Sequence, residues 1–224
     1  SWIVTEGLSG RGFHDRCDEL DPQSCGGKTV PLHYVEPMVD LLDDLRGIDA
    51  APFASTAIQR RDRSFLEPRI RSQLAVGRDR GLLSEREQQQ LLEILGPFLA
   101  QVESGTWRLS NHDFYFRNFI ELAAGRIAIV DWDVARISTF ETEHCLTYLW
   151  MLMWNHPAWA NDFLKRARAR FGLDRRRVRA ALVLNALNQS MYVWVDRPEL
   201  HPIPAAALRL ALDDASFDAL WKPA

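Results

Sequence analysis

The sequence predicts a mainly α fold with one small β-hairpin, an α+β arrangement, and three observations lead there. Apolar residues recur at helical spacing over residues 36–48, 84–105, 141–154 and 174–191. Two short β-rich runs, 119–122 and 127–130, flank Ala123-Ala124-Gly125-Arg126, a connection of hairpin length whose glycine accepts a positive φ. No internal repeat or low-complexity tract interrupts the pattern, so neither a solenoid nor a disordered chain is expected.

Bulk properties exclude several classes. The 224 residues suffice for one large domain or two small ones. A net charge of -3 argues against broad nucleic-acid binding, which requires a basic face. No apolar run reaches the roughly 18 residues that span a bilayer, and no signal-peptide pattern opens the chain, so no membrane partner is expected. Three cysteines make no disulfide framework, and a reducing cytoplasm is the expected setting.

In chain order, Trp2-Ile3-Val4-Thr5 is a β-branched, aromatic run closed by Glu6-Gly7, which predicts a short strand. His14, Cys17, Cys25 and His33 lie in a loop rich in Gly, Asp and Pro; without close Cys-x-x-Cys pairing they read as free side chains rather than a zinc site. Gly26-Gly27-Lys28-Thr29 lacks the preceding strand and first glycine of a P-loop and reads as a turn. Residues 36–48 form a helix with Pro37 in its first turn and Gly47 near its end. The Arg-rich segment 51–81 holds a helix over 65–76. Arg60, Arg61 and Arg63 could pass for a phosphate-binding cluster but read better as a solvated face. Ser84 and Glu87 form a capping box that starts a helix running to Gly105, kinked at Gly96-Pro97 and packed beneath the hairpin. Beyond the hairpin the chain is expected to be helical. A segment apolar nearly all round covers 141–154, one with a cationic face covers 162–171, and Asp174 caps the next. Pro204 opens a last helix through Leu220.

The stretch 109–133, LSNHDFYFRNFIELAAGRIAIVDWD, carries the chemistry. A hairpin folds its ends together, so the loop bearing Asp113 and Asn118 converges on the tail bearing Asp131 and Asp133. A carboxylate, an amide oxygen and a second carboxylate then face one small volume. Hard oxygen ligands so gathered suit Mg²⁺, with one carboxylate left to orient a hydroxyl. Asp-x4-Asn alone would be a weak signal, because such residues often cap turns. The added Val130-Asp131-Trp132-Asp133 strengthens it, since acids after a buried strand cost desolvation unless a cation or hydrogen bonds offset it.

This constellation resembles the catalytic core of the aminoglycoside phosphotransferase and choline kinase family, relatives of the protein kinases. The family writes its loop His-Gly-Asp-Leu-His-Pro-Gly-Asn or His-Asn-Asp-x-x-x-x-Asn, followed by a hairpin and Ile-Asp-Trp-Asp/Glu. Here the loop is Asn111-His112-Asp113-Phe114-Tyr115-Phe116-Arg117-Asn118, with Asn111 at the family's His and Phe116-Arg117 at its Pro-Gly. The resemblance implies a phosphotransferase that moves the γ-phosphate of ATP to a hydroxyl of a small molecule, aminoglycoside-, choline- or sugar-like, with Mg²⁺. Asp113 would be catalytic, Asn118 and Asp131 would hold the metal, and Asp133 would be an outer or second-metal residue. It further implies that residues 1–8 are the hinge between lobes, with the Thr5 carbonyl and the Gly7 N–H reading the adenine edge. Residues 9–224 would be the helical C-terminal, substrate-binding lobe of a protein-kinase-like fold. The N-terminal β lobe, with its Gly-rich loop and strand lysine, is not found in the chain and would be its missing partner. In the family the helix matching 36–48 ends Leu-His-x-Ile-Asp; here Arg46 stands at the His.

Two other readings stay open. Asn111 and Arg117 in the loop would suit a non-catalytic, pseudokinase-like binding module. In an unrelated helical interaction domain, the acids would merely cap turns. The substrate is not legible. Tyr192, Trp150, Trp154, Trp159 and Trp194 could cage a quaternary ammonium through cation–π contacts. Glu141, Glu143, Asp213 and Asp214 could line an aminoglycoside pocket. Core packing accounts for the aromatics more simply.

Overall fold

The computed structural model describes residues 11–12, 32–53, 55–104, 107–114, 118–122, 125–153, 157–196 and 202–221. The expected hinge strand at 1–8, with His14, Cys17, Cys25, the 26–29 turn, Arg117 and Trp154, lies outside them. Among the described residues the fold is mainly helical, as expected of the C-terminal lobe of a kinase-like protein, and carries two small sheets. Among the described residues no helix is long and apolar enough to cross a membrane.

Among the described residues eight α-helices follow in chain order: α1 Val35–Arg46, α2 Arg63–Asp79, α3 Glu85–Gln101, α4 Phe140–Met153, α5 Pro157–Phe171, α6 Arg175–Asp196, α7 Pro202–Leu212 and α8 Asp214–Trp221. Their starts obey the expected chemistry. The Ser84 hydroxyl accepts from Glu87 N–H at 3.2 Å while Ser84 N–H donates to the Glu87 carboxylate at 2.8 Å, completing the capping box of α3. Asp174 accepts from Arg177 N–H at 2.8 Å and starts α6. The single terminal helix expected over 204–220 is broken in two. Asp213 sits at the break and accepts from the Ser216 hydroxyl and from Ala215 N–H, which makes it a cap rather than an interior residue. The helix α3 packs chiefly on α2 and α6, not beneath the hairpin; α1 takes that place.

The predicted hairpin pairs β4 (Phe119–Glu121) with β5 (Ile127–Ile129), Phe119 opposite Ile129. Its turn is closed by Leu122 N–H on the Arg126 carbonyl at 2.7 Å, and Gly125 takes φ +71°, where a Cβ would be strained. A two-residue strand, β1 (Arg11–Gly12), adds to its edge. A second sheet was not expected. In it β6 (Arg136–Thr139) lies between β3 (Trp107–Ser110), antiparallel, and β2 (Gln59–Arg60), parallel.

The core runs through α4. Its buried residues include Leu146, Leu149 and Met151, and it packs on α5 and α6. Phe114 and Phe119, both fully buried and edge-to-face at 4.9 Å between centroids, pin the loop and hairpin to this core.

Candidate active site

The loop leaving β3 is held from below by α4. Glu143 and Thr147, one turn apart and so on one face, reach it at two points. The Glu143 carboxylate accepts from His112 N–H at 3.2 Å, and the Thr147 hydroxyl donates to the Phe114 carbonyl at 2.7 Å. Asp113 lies between these anchors, half-buried, so its main chain is fixed on both sides.

A second tie joins the loop to the tail of the hairpin. The Asn111 side-chain amide donates to the Asp131 carbonyl at 2.8 Å, and its own oxygen accepts from Asp113 N–H at 3.1 Å. Asn111 is fully buried. Among the described residues the non-glycine residues with positive φ are His112 at +66° and Asp131 at +59°, one on each side of this tie. Left-handed backbone at a residue with a Cβ costs about 1–2 kcal/mol. The strain persists because the Glu143 and Asn111 bonds hold both residues in place.

Asp113 and Asn118 meet. Asn118 donates through Nδ2 to the Asp113 carboxylate and to the Asp113 main-chain carbonyl, each at 2.8 Å, while the Asn118 carbonyl receives Val130 N–H at 2.9 Å. The loop and the tail therefore converge as the hairpin predicts. With its nitrogen committed, Asn118 keeps its side-chain oxygen free of hydrogen bonds from described residues, and so does the exposed carboxylate of Asp131. Asp133 stands on the exposed turn two residues on. Among the described residues no three His, Cys, Asp or Glu side chains gather into a metal cage. One amide oxygen and one carboxylate make the sparse, hard donor set that Mg²⁺ accepts when phosphates and water complete its shell.

The electrostatics beneath the loop are unusual. Burial pushes the Glu143 carboxyl up to about 8, against its bond from His112 N–H and the attraction of Arg61, so it is largely neutral at pH 7. Burial pushes the His112 imidazole down to about 3, helped by the positive charges of Arg61 and Arg136. Sequence reasoning missed this layer and offered Glu143 only as one of four acids that could line an aminoglycoside pocket. The available signal was Glu143 and Thr147, two polar residues one turn apart in a helix whose buried positions are mostly apolar.

The other candidates separate. Glu141 pairs with Arg177 at 2.7 Å, and Asp214 pairs with Arg179, so neither these acids nor Asp213 converges with Glu143 on a pocket. Trp159 is buried and stacked on Phe163 at 5.5 Å, a core residue. Arg46 lies over the rings of Phe140 and Phe171, 5.6 Å from each centroid. Thr5 and Gly7 fall outside the described residues, as do the side chains of Tyr192 and Trp194.

No family model matches the sequence, and no curated protein does. Solved structures do. A ternary complex of a thermostable mutant of aminoglycoside phosphotransferase APH(4)-Ia with AMP-PNP and hygromycin B aligns with a TM-score of 0.62 at 14% identity, over 91% of this chain and 68% of that one. Another mutant of the same enzyme, bound to ADP and hygromycin B, aligns with a TM-score of 0.61. A protein from Ralstonia eutropha JMP134 assigned to the aminoglycoside phosphotransferases aligns with a TM-score of 0.55 at 10% identity, over 96% of this chain and 72% of that one. At such identities the likeness is one of fold, and the fold is that of the aminoglycoside phosphotransferases.

Proposed function

We propose that this chain carries the catalytic half of an ATP- and Mg²⁺-dependent phosphotransferase that moves the γ-phosphate to a hydroxyl of a small molecule. The observation that carries the reading is the paired geometry of Asp113 and Asn118, bonded at 2.8 Å beside an Asp131 held at φ +59°. Phosphoryl transfer asks little covalent work of a protein; it asks for positioning and for charge where charge develops. Asp113 accepts a hydrogen bond from the acceptor hydroxyl and aims it in line. Asn118 holds the Asp113 carboxylate in one rotamer and offers its own amide oxygen outward. Asn118 and Asp131 are the residues that would hold Mg²⁺, with Asp133 as an outer acid. Bound there, the ion would neutralise charge on the nucleotide phosphates.

Residues 1–8 are read as the hinge, with Thr5 and Gly7 at the adenine edge, and 9–224 as the lobe that binds the acceptor. Likeness to structures holding AMP-PNP, ADP and hygromycin B supports a nucleotide and a polyhydroxylated acceptor as ligand classes. The tie from Asn111 to Asp131 favours a working loop over a decayed one, because the residue that departs from the family pattern still joins loop to tail.

The test is Mg²⁺-dependent ATP turnover by the full-length protein with aminoglycosides, choline and sugar-like alcohols as acceptors. Asp113→Ala is expected to lower kcat by roughly 10³-fold, and Asp131→Ala to abolish the response to Mg²⁺. Turnover that survives both substitutions would overturn the assignment.

A further inference from the structure

Among the described residues, one face of the unexpected second sheet carries basic groups with no ion pair, unlike Arg60, which pairs with Glu103 at 3.7 Å. Arg61 is half-buried and continues the β2 ladder, its N–H on the Ile137 carbonyl at 2.8 Å. Among the described residues its guanidinium makes no ion pair and no hydrogen bond, and its Nε is buried without an acceptor. Arg136 is similar: it spends one nitrogen on the Ala135 carbonyl at 2.7 Å, and its Nε is also buried and unpartnered. Ser110, directly opposite Arg136 in the β3–β6 pairing, has a buried hydroxyl with no partner, and the ring Nε2 of His112 is likewise unpartnered.

Directly paired residues share a face of a sheet, and residues two apart return to that face. Gln59 pairs with Arg136, so Arg61 rises on the same side as Arg136 and Ser110. The guanidinium of Arg61 is pushed down to about 10 by burial and then by the nearby charges of Arg136 and Arg69. Of the acids in this neighbourhood, Glu143 is largely neutral and already committed to His112 N–H, and Asp113 accepts from Asn118. Leaving buried donors and like charges unmatched is costly, and one oxyanion would satisfy them together.

We propose that Arg61, Arg136 and Ser110 form an oxyanion site, taking a carboxylate or phosphate, and that this oxyanion is a substituent of the acceptor whose hydroxyl lies at Asp113. Asp113 follows Ser110 by three positions, so their Cα atoms are at most about 11 Å apart, within the span of one small molecule. The substrate half rests on the phosphotransfer reading; the anion half does not.

Inorganic phosphate is the first probe. Millimolar phosphate is expected to raise the Tm of the protein by about 2–4 °C over sodium chloride of equal ionic strength, and Arg61→Gln or Arg136→Gln to abolish that rise. No phosphate-specific rise in the unaltered protein would overturn the site, whatever the variants do. The second probe is a pair of acceptors differing by one acid, glycerate against glycerol and gluconate against glucose. The acid is expected to be preferred in kcat/KM by roughly 10–100-fold, and Arg61→Gln to erase the preference through KM. Equal use of acid and neutral acceptors would overturn the substrate half. A phosphate-specific rise with no turnover of any acceptor would support the anion site while defeating the phosphotransfer reading.

Discussion

The side-chain amide of Asn111 bonds the main-chain carbonyl of Asp131 across 2.8 Å, joining residues 20 apart in sequence at the point where the loop bearing Asp113 meets the hairpin tail. A neutral buried bond of this kind is worth about 1 kcal/mol, and leaving its buried partner unsatisfied costs about 1–3 kcal/mol.

Asn111→Ala is therefore expected to lower stability by about 1–3 kcal/mol in urea unfolding and to lower kcat more than it raises KM, because Asp131 loses its fixed backbone. Asn111→His, the residue the resembled family carries, can donate from its ring to the same carbonyl and is expected to keep most of both. Equal damage from the two substitutions would show that volume rather than the bond is what matters.

Asp131 separates stability from activity. At φ +59° an alanine is strained by about 1–2 kcal/mol, whereas a glycine is not. Asp131→Gly is expected to be more stable than Asp131→Ala by about 1 kcal/mol in thermal or denaturant unfolding. Both variants are expected to lose the response of turnover to Mg²⁺ alike. A variant that regains stability without regaining activity marks the carboxylate, not the backbone, as the working part.

Glu143 sets a pH dependence of opposite sign to that of a paired surface acid. Its folded value is raised from 4.5 to about 8, so the folded state holds a proton that the unfolded chain releases. Its contribution is complete below 4.5 and is lost as pH rises through about 8. Glu143→Gln keeps an oxygen for His112 N–H and has no proton to lose. The variant is expected to gain stability relative to the parent progressively over that interval and to run parallel to it above. Unfolding midpoints at about pH 5, 7 and 9 check this, and curves parallel throughout would refute a buried neutral acid.

The helices were legible because apolar spacing and caps are local. The span 36–48 became α1, and Ser84 with Asp174 marked two starts. The hairpin, and the meeting of the loop with the tail, followed from two β-rich runs joined by a connection of turn length. The second sheet was not legible. Its strands are two to four residues long, too short for alternation to register, and β6 runs without a break into α4. The Arg-rich run was read as one solvated face, but the sheet divides it. Arg60 lies 4.1 Å from the Trp107 ring centroid, Arg63 reaches Glu67, and Arg61 turns inward. The place of Glu143 beneath the loop was not legible because its partner is a backbone N–H, which no sequence pattern displays.

The parallel pairing of Gln59 with Arg136 also bears on the order in which the molecule assembles. Parallel strands need a long crossover, and here α2, α3, β3 and the whole hairpin lie inside it. Contacts that close so large a loop are made late in folding, after local helices have formed. During synthesis the floor under His112 cannot be laid until Glu143 and Thr147 have left the ribosome, so the loop that orients Asp113 takes its strained shape only after the surrounding helices are in place to hold it.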